Sequence, residues 1–239
     1  MAEADWTVLA NSNLTTEVDR GVTGGLTPPN GGGSFLYGFN SLVATAGAAG
    51  LYTNQANFSP MTKGGRISGA VKRAVSGGPT GFSPMLFIGL QGPDVADSGY
   101  LLGLSDADPH HIVLVKGPIE DGLGDDIGLD GVLAIGSSAI AADTWKHLRL
   151  DMVVNLTGDV VLSVFENDLD TNPVTAPVWV AVPGLDAISP GSGQAFIDDA
   201  LGINSGSAPY VDGRAGKAFA YDQDARRGFF DHIQIARQL

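Results

Sequence analysis

Residues 145–167 read WKHLRLDMVVNLTGDVVLSVFEN. Leu148, Leu150, Met152 and Val154 fall on every second position, and Arg149 and Asp151 fall between them. Side chains on a strand alternate between its two faces, so this pattern predicts a half-buried strand rather than a helix. Leu156-Thr157-Gly158-Asp159 supplies a tight turn. VVLSVFEN, residues 160–167, then predicts a second strand folded back on the first.

The same reading extends along the chain. Strands are expected at 6–9, 34–39, 66–73, 85–91, 100–104, 111–116, 131–135, 178–182, 218–221 and 230–236. Turn-forming clusters such as SGGPTG, QGPDVADSG, SDADP and SPGSGQ separate them. Short helices are expected at most at 195–201 and near 139–145. Many strands without alternating helices predict an all-β, antiparallel two-sheet jelly-roll sandwich.

The chain has 239 residues, of which 34 are glycine, and no cysteine. That length suits one large β domain, and the missing cysteines exclude disulfides and thiolate metal sites. The formal charge of −13 opposes binding to nucleic acid or to anionic membranes. The first residues carry no basic and apolar leader pattern, so synthesis without export is expected, and the N-x-T sequons at Asn13 and Asn155 are read as chance.

Residues 20–41, RGVTGGLTPPNGGGSFLYGFNS, stand apart. Glycine loses the most freedom on ordering, so such a segment needs something to hold it. Residues 1–60 are read as an extended, glycine-rich N-terminal arm and partial β cover, and residues 61–239 as the sandwich. Arg20, Pro28, Pro29, Phe35, Tyr37 and Phe39 are the expected subunit contacts of that arm.

Chemistry-bearing residues form no familiar constellation. His110 and His111 follow a turn, His147 alternates with core positions and is expected at the surface, and no nucleophile elbow accompanies them. Glu166-Asn167-Asp168 is the nearest approach to paired glycosidase acids but lacks a closing glutamate. Asp168, Asp170 and Asn172 could offer oxygen ligands to calcium, as could Glu120, Asp121, Asp125, Asp126 and Asp130. Solvated acidic turns explain both, so no metal or other cofactor is assigned. Trp6, Tyr52, Tyr100 and Tyr210 are possible sugar-stacking rings, whereas Trp145 and Trp179 are expected in the core.

Three stretches carry a resemblance. TWKHLRLDMVVNLTGDVVLSVFEN resembles paired strands of the concanavalin A-like jelly rolls, the laminin-G and lectin/glucanase superfamily. GRAGKAFAYDQDARRGFFDHIQIAR, with Phe230-Asp231, resembles their closing strand pair, and GRISGAVKR, residues 65–73, an early strand. Residues 20–67 resemble virion structural proteins of tailed bacteriophages.

The resemblances imply a non-enzymatic virion protein, an outer capsid decoration (cement) subunit or a tail component, located in the virion and assembled in the host cytoplasm. Its expected partners are other virion proteins, namely major capsid or tail subunits, and further copies of itself as a homo-oligomer. The alternative is a lectin-like module that binds surface glycans. A glycanase using Glu166 and Asp168 is the remaining reading.

Overall fold

The computed structural model describes residues 6–10, 17–18, 29–31, 37–40, 48–53, 63–73, 82–89, 98–105, 109–118, 131–211, 219–223 and 227–237. Fifteen strands run in chain order: β1 (Trp6–Ala10), β2 (Glu17–Val18), β3 (Tyr37–Asn40), β4 (Ala48–Thr53), β5 (Gly64–Arg73), β6 (Phe82–Ile88), β7 (Ser98–Ser105), β8 (Ile112–Pro118), β9 (Val132–Ile135), β10 (Trp145–Val154), β11 (Val160–Asn167), β12 (Trp179–Ala181), β13 (Gln194–Asp198), β14 (Phe219–Gln223) and β15 (Arg227–Arg237). Among the described residues there is no α-helix.

Two antiparallel sheets result. The first has the order β1-β4-β14-β6-β7-β8-β9; the second has the order β12-β11-β10-β5-β15-β3-β2, with β13 also paired to β11. The hairpin at 145–167 forms in the expected register, Leu150 opposite Val164 and Met152 opposite Leu162. Its turn is tied by Asn155, whose Oδ1 accepts the Thr157 and Asp159 amides at 3.0 and 2.9 Å. Gly158 takes φ +89°, a conformation that favours glycine.

The inner faces meet in one aliphatic core. Ile67, Val71, Leu148, Leu150, Met152, Val160, Leu162 and Val164 come from the second sheet; Leu86, Ile88, Tyr100, Leu102, Leu104, Ile112 and Leu114 come from the first. Burying each such aliphatic side chain is worth about 1.5–3 kcal/mol.

One ion pair lies inside this core. Lys116 and Asp198 are 2.7 Å apart, with side chains 3% and 0% exposed. Asp198 also accepts from Tyr100 Oη and Ser205 Oγ, both at 2.6 Å. Lys116 donates to the carbonyls of Ser207 and Ala208 at 2.8 and 3.0 Å. The pair therefore anchors the 199–211 loop to the sandwich, since buried charges persist only when paired and hydrogen-bonded.

Two expectations change here. Residues 195–201 are not a helix: Gln194–Asp198 is β13, with Asp198 opposite Val160. A short apolar run fits either period, and sheet pairing decided it. Tyr100 is fully buried rather than a surface ring, because it closes the Asp198 network.

The N-terminal sixty residues contribute β1 to β4, all paired within the two sheets: β1 on β4, β4 on β14, and β3 on β15 and β2. Pro29 is buried, and the turn at Asn30-Gly31 docks on the 168–178 loop of its own chain. The Asn30 carbonyl accepts the Val174 amide at 2.8 Å, and Asn30 Nδ2 donates to the Leu169 carbonyl at 2.9 Å. Gly31, at φ +73°, approaches so closely that a Cβ there would lie 2.5 Å from Pro173 Cβ. Arg20, Pro28 and Phe35 lie outside the described residues, and for Tyr37 and Phe39 only the backbone is described.

Candidate functional site

A sandwich has two outer faces, and here they differ in chemistry. On the first sheet the outward positions Met85, Phe87, Leu101, Val113 and Val115 are apolar and fully buried. On the second sheet the described outward positions are charged, aromatic or polar, with alanine at 70, 181 and 236. Strand register arranges them in rows running across the sheet.

The first row is Trp179, Asn167, His147, Ala70 and Asp231, one residue from each of β12, β11, β10, β5 and β15. The next is Ala181, Phe165, Arg149, Ser68 and Gln234. The third holds Ser163, Asp151, Arg66 and Ala236. Trp145 and Lys72 flank the first row on its other side. Neighbouring strands lie about 4.8 Å apart, so small Ala70 separates His147 and Asp231 by roughly two strand spacings. Ala70 and Ser68 thus form a low floor between bulkier side chains.

His147 is 1% exposed, which corrects the expected surface position. It does lie on the outward face, but Trp179 covers it, ring centroids 4.6 Å apart, and His232 stands edge-on at 6.1 Å. Asn167 fixes its tautomer. Asn167 Oδ1 accepts the Val178 amide at 2.8 Å and Nδ2 donates to the Asn172 carbonyl at 3.1 Å, so the carboxamide can point only one way. Its Nδ2 then also donates to His147 Nδ1 at 3.3 Å, and the ring carries its proton on Nε2. That Nε2 is buried without a partner. Burial, with a smaller contribution from neighbouring His232, lowers the His147 pKa to about 4. At neutral pH the ring is an uncharged donor.

Asp231 enters through a β-bulge. Pairing between β15 and β5 slips between Asp231 and Gln234, and His232 sits at φ +52°. A non-glycine residue there costs about 1–2 kcal/mol. Such bulges re-aim side chains and are over-represented beside active sites. Asp231 Oδ1 accepts the His232 amide at 2.7 Å, while Oδ2 is buried without a partner. Burial raises this carboxyl to about 6, against a smaller opposing effect of the amide bond. Gln234 Nε2 donates to His232 Nε2 at 2.7 Å.

Arg149 lies against two aromatic rings. Its guanidinium lies 4.1 Å over the Phe165 ring and 5.3 Å from that of Trp179, and Nη2 donates to Asp151 Oδ2 at 3.0 Å. Its Nε is buried with no acceptor. Asp151 is also gripped by Arg66 through two bonds of 2.6 and 2.8 Å. Lys72 pairs with Asp143 at 2.8 Å beside Trp145. Buried side-chain atoms of His147, Arg149 and Asp231 on this face lack a hydrogen-bond partner among the described residues. Unpaired buried polar atoms are costly and rare, and three of them gather on this face.

Other expected site residues fall elsewhere. Glu166 pairs with Lys146 at 3.0 Å, and Asp168 caps its own turn by accepting from the Asp170 amide and Thr171 Oγ1. Asp168, Asp170 and Asn172 therefore form a hydrogen-bonded turn, and no grouping of three metal-binding side chains occurs among the described residues. The 120–130 acidic cluster and the side chains of Trp6 and Tyr52 lie outside them. Tyr210 packs against Tyr100, ring centroids 5.3 Å apart, under Lys116. Trp145 and Trp179, expected in the core, are half-buried on the outward face. Sequence reasoning missed Arg149 and Asp231 as site residues; the available signal was that alternate positions of β10 read Trp, His, Arg, Asp, richer than a solvated face requires.

No protein-family profile matches the chain, and no curated protein matches it. Solved structures do. The cellulose-induced protein Cip1 is 12% identical with a TM-score of 0.53, covering 100% of this chain and 94% of that one. The VIP36 exoplasmic/lumenal domain, bound to Ca2+ and Man3GlcNAc, is 12% identical with a TM-score of 0.44, covering 85% and 84%. A PL-14 alginate lyase from Aplysia kurodai is 14% identical with a TM-score of 0.47, covering 85% and 82%. The expectation of a non-enzymatic protein is corrected by this set, since solved structures similar to this chain include alginate lyases and a bacteriophage carbohydrate esterase. Lack of a familiar catalytic motif was no ground for that exclusion. The resemblance of residues 20–67 to phage virion proteins rests on sequence alone. The likeness to Cip1 agrees with the architecture seen here: the chain folds as a two-sheet, antiparallel jelly-roll sandwich.

Proposed function

We propose that this protein binds glycans on the outward face of its second sheet. The observation that carries the reading is that half-buried aromatic rings, Trp145, Phe165 and Trp179, stand beside the partly exposed Arg66, Arg149 and Asp151 on one sheet face. Sugars present a ring face that stacks on aromatic side chains and a rim of hydroxyls that hydrogen-bonds in the plane. Trp179 and Phe165 supply the first kind of surface, and the partly exposed Arg66, Arg149 and Asp151 supply the second. The fold is compatible with this use, as it positions a broad, rigid face.

The experiment is a glycan array probed with the full chain and with Trp179→Ala. Reproducible binding by the native protein, weakened at least tenfold in the variant, is expected. Equal binding by both would remove Trp179 from the site, and an array blank for both would end the glycan reading.

The acidic charge and glycine-proline arm support a second reading, a virion subunit that joins capsid or tail proteins and further copies of itself. Subunit copy number in purified particles, by mass spectrometry, tests it.

A further inference from the structure

We infer that one end of the sandwich carries an apolar tip that docks on a lipid surface with zwitterionic headgroups, such as a phosphatidylcholine bilayer. The tip lies on two loops at the turn end of β10 and β11 and is independent of the glycan reading.

Leu156 is fully exposed, and Leu201 and Ile203 are 82% and 74% exposed. Leu156 stands on the β10–β11 turn, and Leu201 and Ile203 stand on the loop that follows β13. The two loops are joined. β13 ends beside that turn, with Asp198 opposite Val160. The Ala200 amide donates to Asp159 Oδ1 at 2.9 Å, and a Cβ at Gly158 would lie 3.6 Å from Ala200 Cβ. Three large aliphatic side chains therefore project at one end, where scattered single ones would need no explanation.

The backbone beneath them separates this end from an ordinary exposed loop. Asn155 Oδ1 accepts the Thr157 and Asp159 amides, and the Asn155 carbonyl accepts that of Gly158. Asp199 accepts the amides of Leu201 and Ile203 on Oδ1 at 3.1 and 3.2 Å, that of Asn204 on Oδ2 at 2.7 Å, and that of Gly202 on its carbonyl at 2.8 Å. Every amide from 157 to 159 and from 200 to 204 thus has an acceptor within the chain. The side chains of Thr157 and Asn204 donate internally as well. Exposed turns can leave such donors to water, and a protein partner can bring acceptors of its own. The acyl region of a bilayer offers neither, so a segment entering it has to pair its own backbone donors.

Charge selects the headgroup. Hydrogen bonds from Asn155, then from Thr157 and the Ala200 amide, hold Asp159 below the usual carboxylate range, and the Asn204 amide leads the same effect at Asp199. These ionised carboxylates flank the tip. Exposed Lys63 adjoins it, its carbonyl accepting the Val154 amide at 3.1 Å. Groups of both signs match a headgroup that carries both, whereas the net charge of −13 repels anionic lipid. A second copy packed tip to tip would bring the carboxylates of both copies together, which opposes self-association there.

The test is flotation of the full chain with vesicles of phosphatidylcholine alone, or mixed with an equal part of phosphatidylserine, at low and high sodium chloride. Flotation with phosphatidylcholine vesicles, persisting at high salt and weakened by phosphatidylserine at low salt, is the expected result. Leu156→Ser, and Leu201→Ser combined with Ile203→Ser, are each expected to weaken it at least tenfold, because membrane affinity follows the apolar surface buried in lipid. Val180→Ser, at an exposed position about 20 Å further along β11, is expected to leave it unchanged. Thermal unfolding reports that the variants are folded, and the wild-type panel decides the lipid class without them. No flotation with either vesicle, equal flotation by Leu156→Ser, or stronger flotation with phosphatidylserine would overturn the inference. A dimer in light scattering that Leu156→Ser abolishes, without flotation, would overturn it in favour of a second copy.

Discussion

The most exacting test of the site is electrostatic. Burial displaces two of its groups in opposite senses. The Asp231 carboxyl rises from 3.8 to about 6, and the His147 imidazole falls from 6.5 to about 4. A group whose folded pKa is raised holds its proton in the folded state while the unfolded chain has lost it. Asp231 therefore removes stability as pH climbs from about 4 to 6, by about 3 kcal/mol in all. His147 works the other way. Between about 6.5 and 4 the unfolded chain gains a proton that the folded one refuses, so stability drops by about 3 kcal/mol as pH falls through that window.

The two slopes nearly cancel in the native protein, and replacing either group exposes the other. Asp231→Asn removes the acid while keeping its shape. Its stability relative to wild type should climb by about 3 kcal/mol from pH 4 to pH 7. His147→Gln should show the converse, gaining on wild type by a similar amount as pH drops from 7 to 4. Urea unfolding curves at half-unit pH steps give these differences directly, and groups common to both proteins drop out. Parallel profiles for wild type and Asp231→Asn would refute the reasoning, because they would mean that the carboxyl is not buried unpaired.

Other outcomes follow from the fold. Lys116→Met or Asp198→Leu alone should cost about 3–5 kcal/mol by stranding a buried charge, and the double variant should recover much of it; denaturant unfolding and the double-mutant coupling energy report this. Gly31→Ala should release the Asn30 turn, since its Cβ has no room beside Pro173. Hydrogen exchange at the Val174 amide should then quicken at least tenfold with little loss of global stability. Leu150→Ala, at a fully buried position opposite Val164, should cost about 2–5 kcal/mol in urea unfolding.

The docked turn bears on why the chain carries so much glycine near its beginning. Where described, that segment is held by its own 168–178 loop, and the same loop locks Asn167 and so the His147 tautomer. The glycine at position 31 permits a close approach that positions a site residue two contacts away.

Period-two alternation is a local property, so the strands expected at 66–73, 100–104, 111–116 and in the 145–167 hairpin were legible from residues alone, and with them the all-β class and the core face of Leu148, Leu150 and Met152. The 194–198 strand was not, because five residues of mixed character take their conformation from the β11 edge they pair with. The site was legible only in fragments. Alternation shows that His147, Arg149 and Asp151 share a face, but not that the face is buried or that Asp231 and Trp179 join it. Those residues are brought together across strands, through registers linking positions 147 to 70, 70 to 231 and 167 to 179. A sequence encodes what lies along each strand; what lies across them depends on long-range pairing and one bulge, which only the folded sheet fixes.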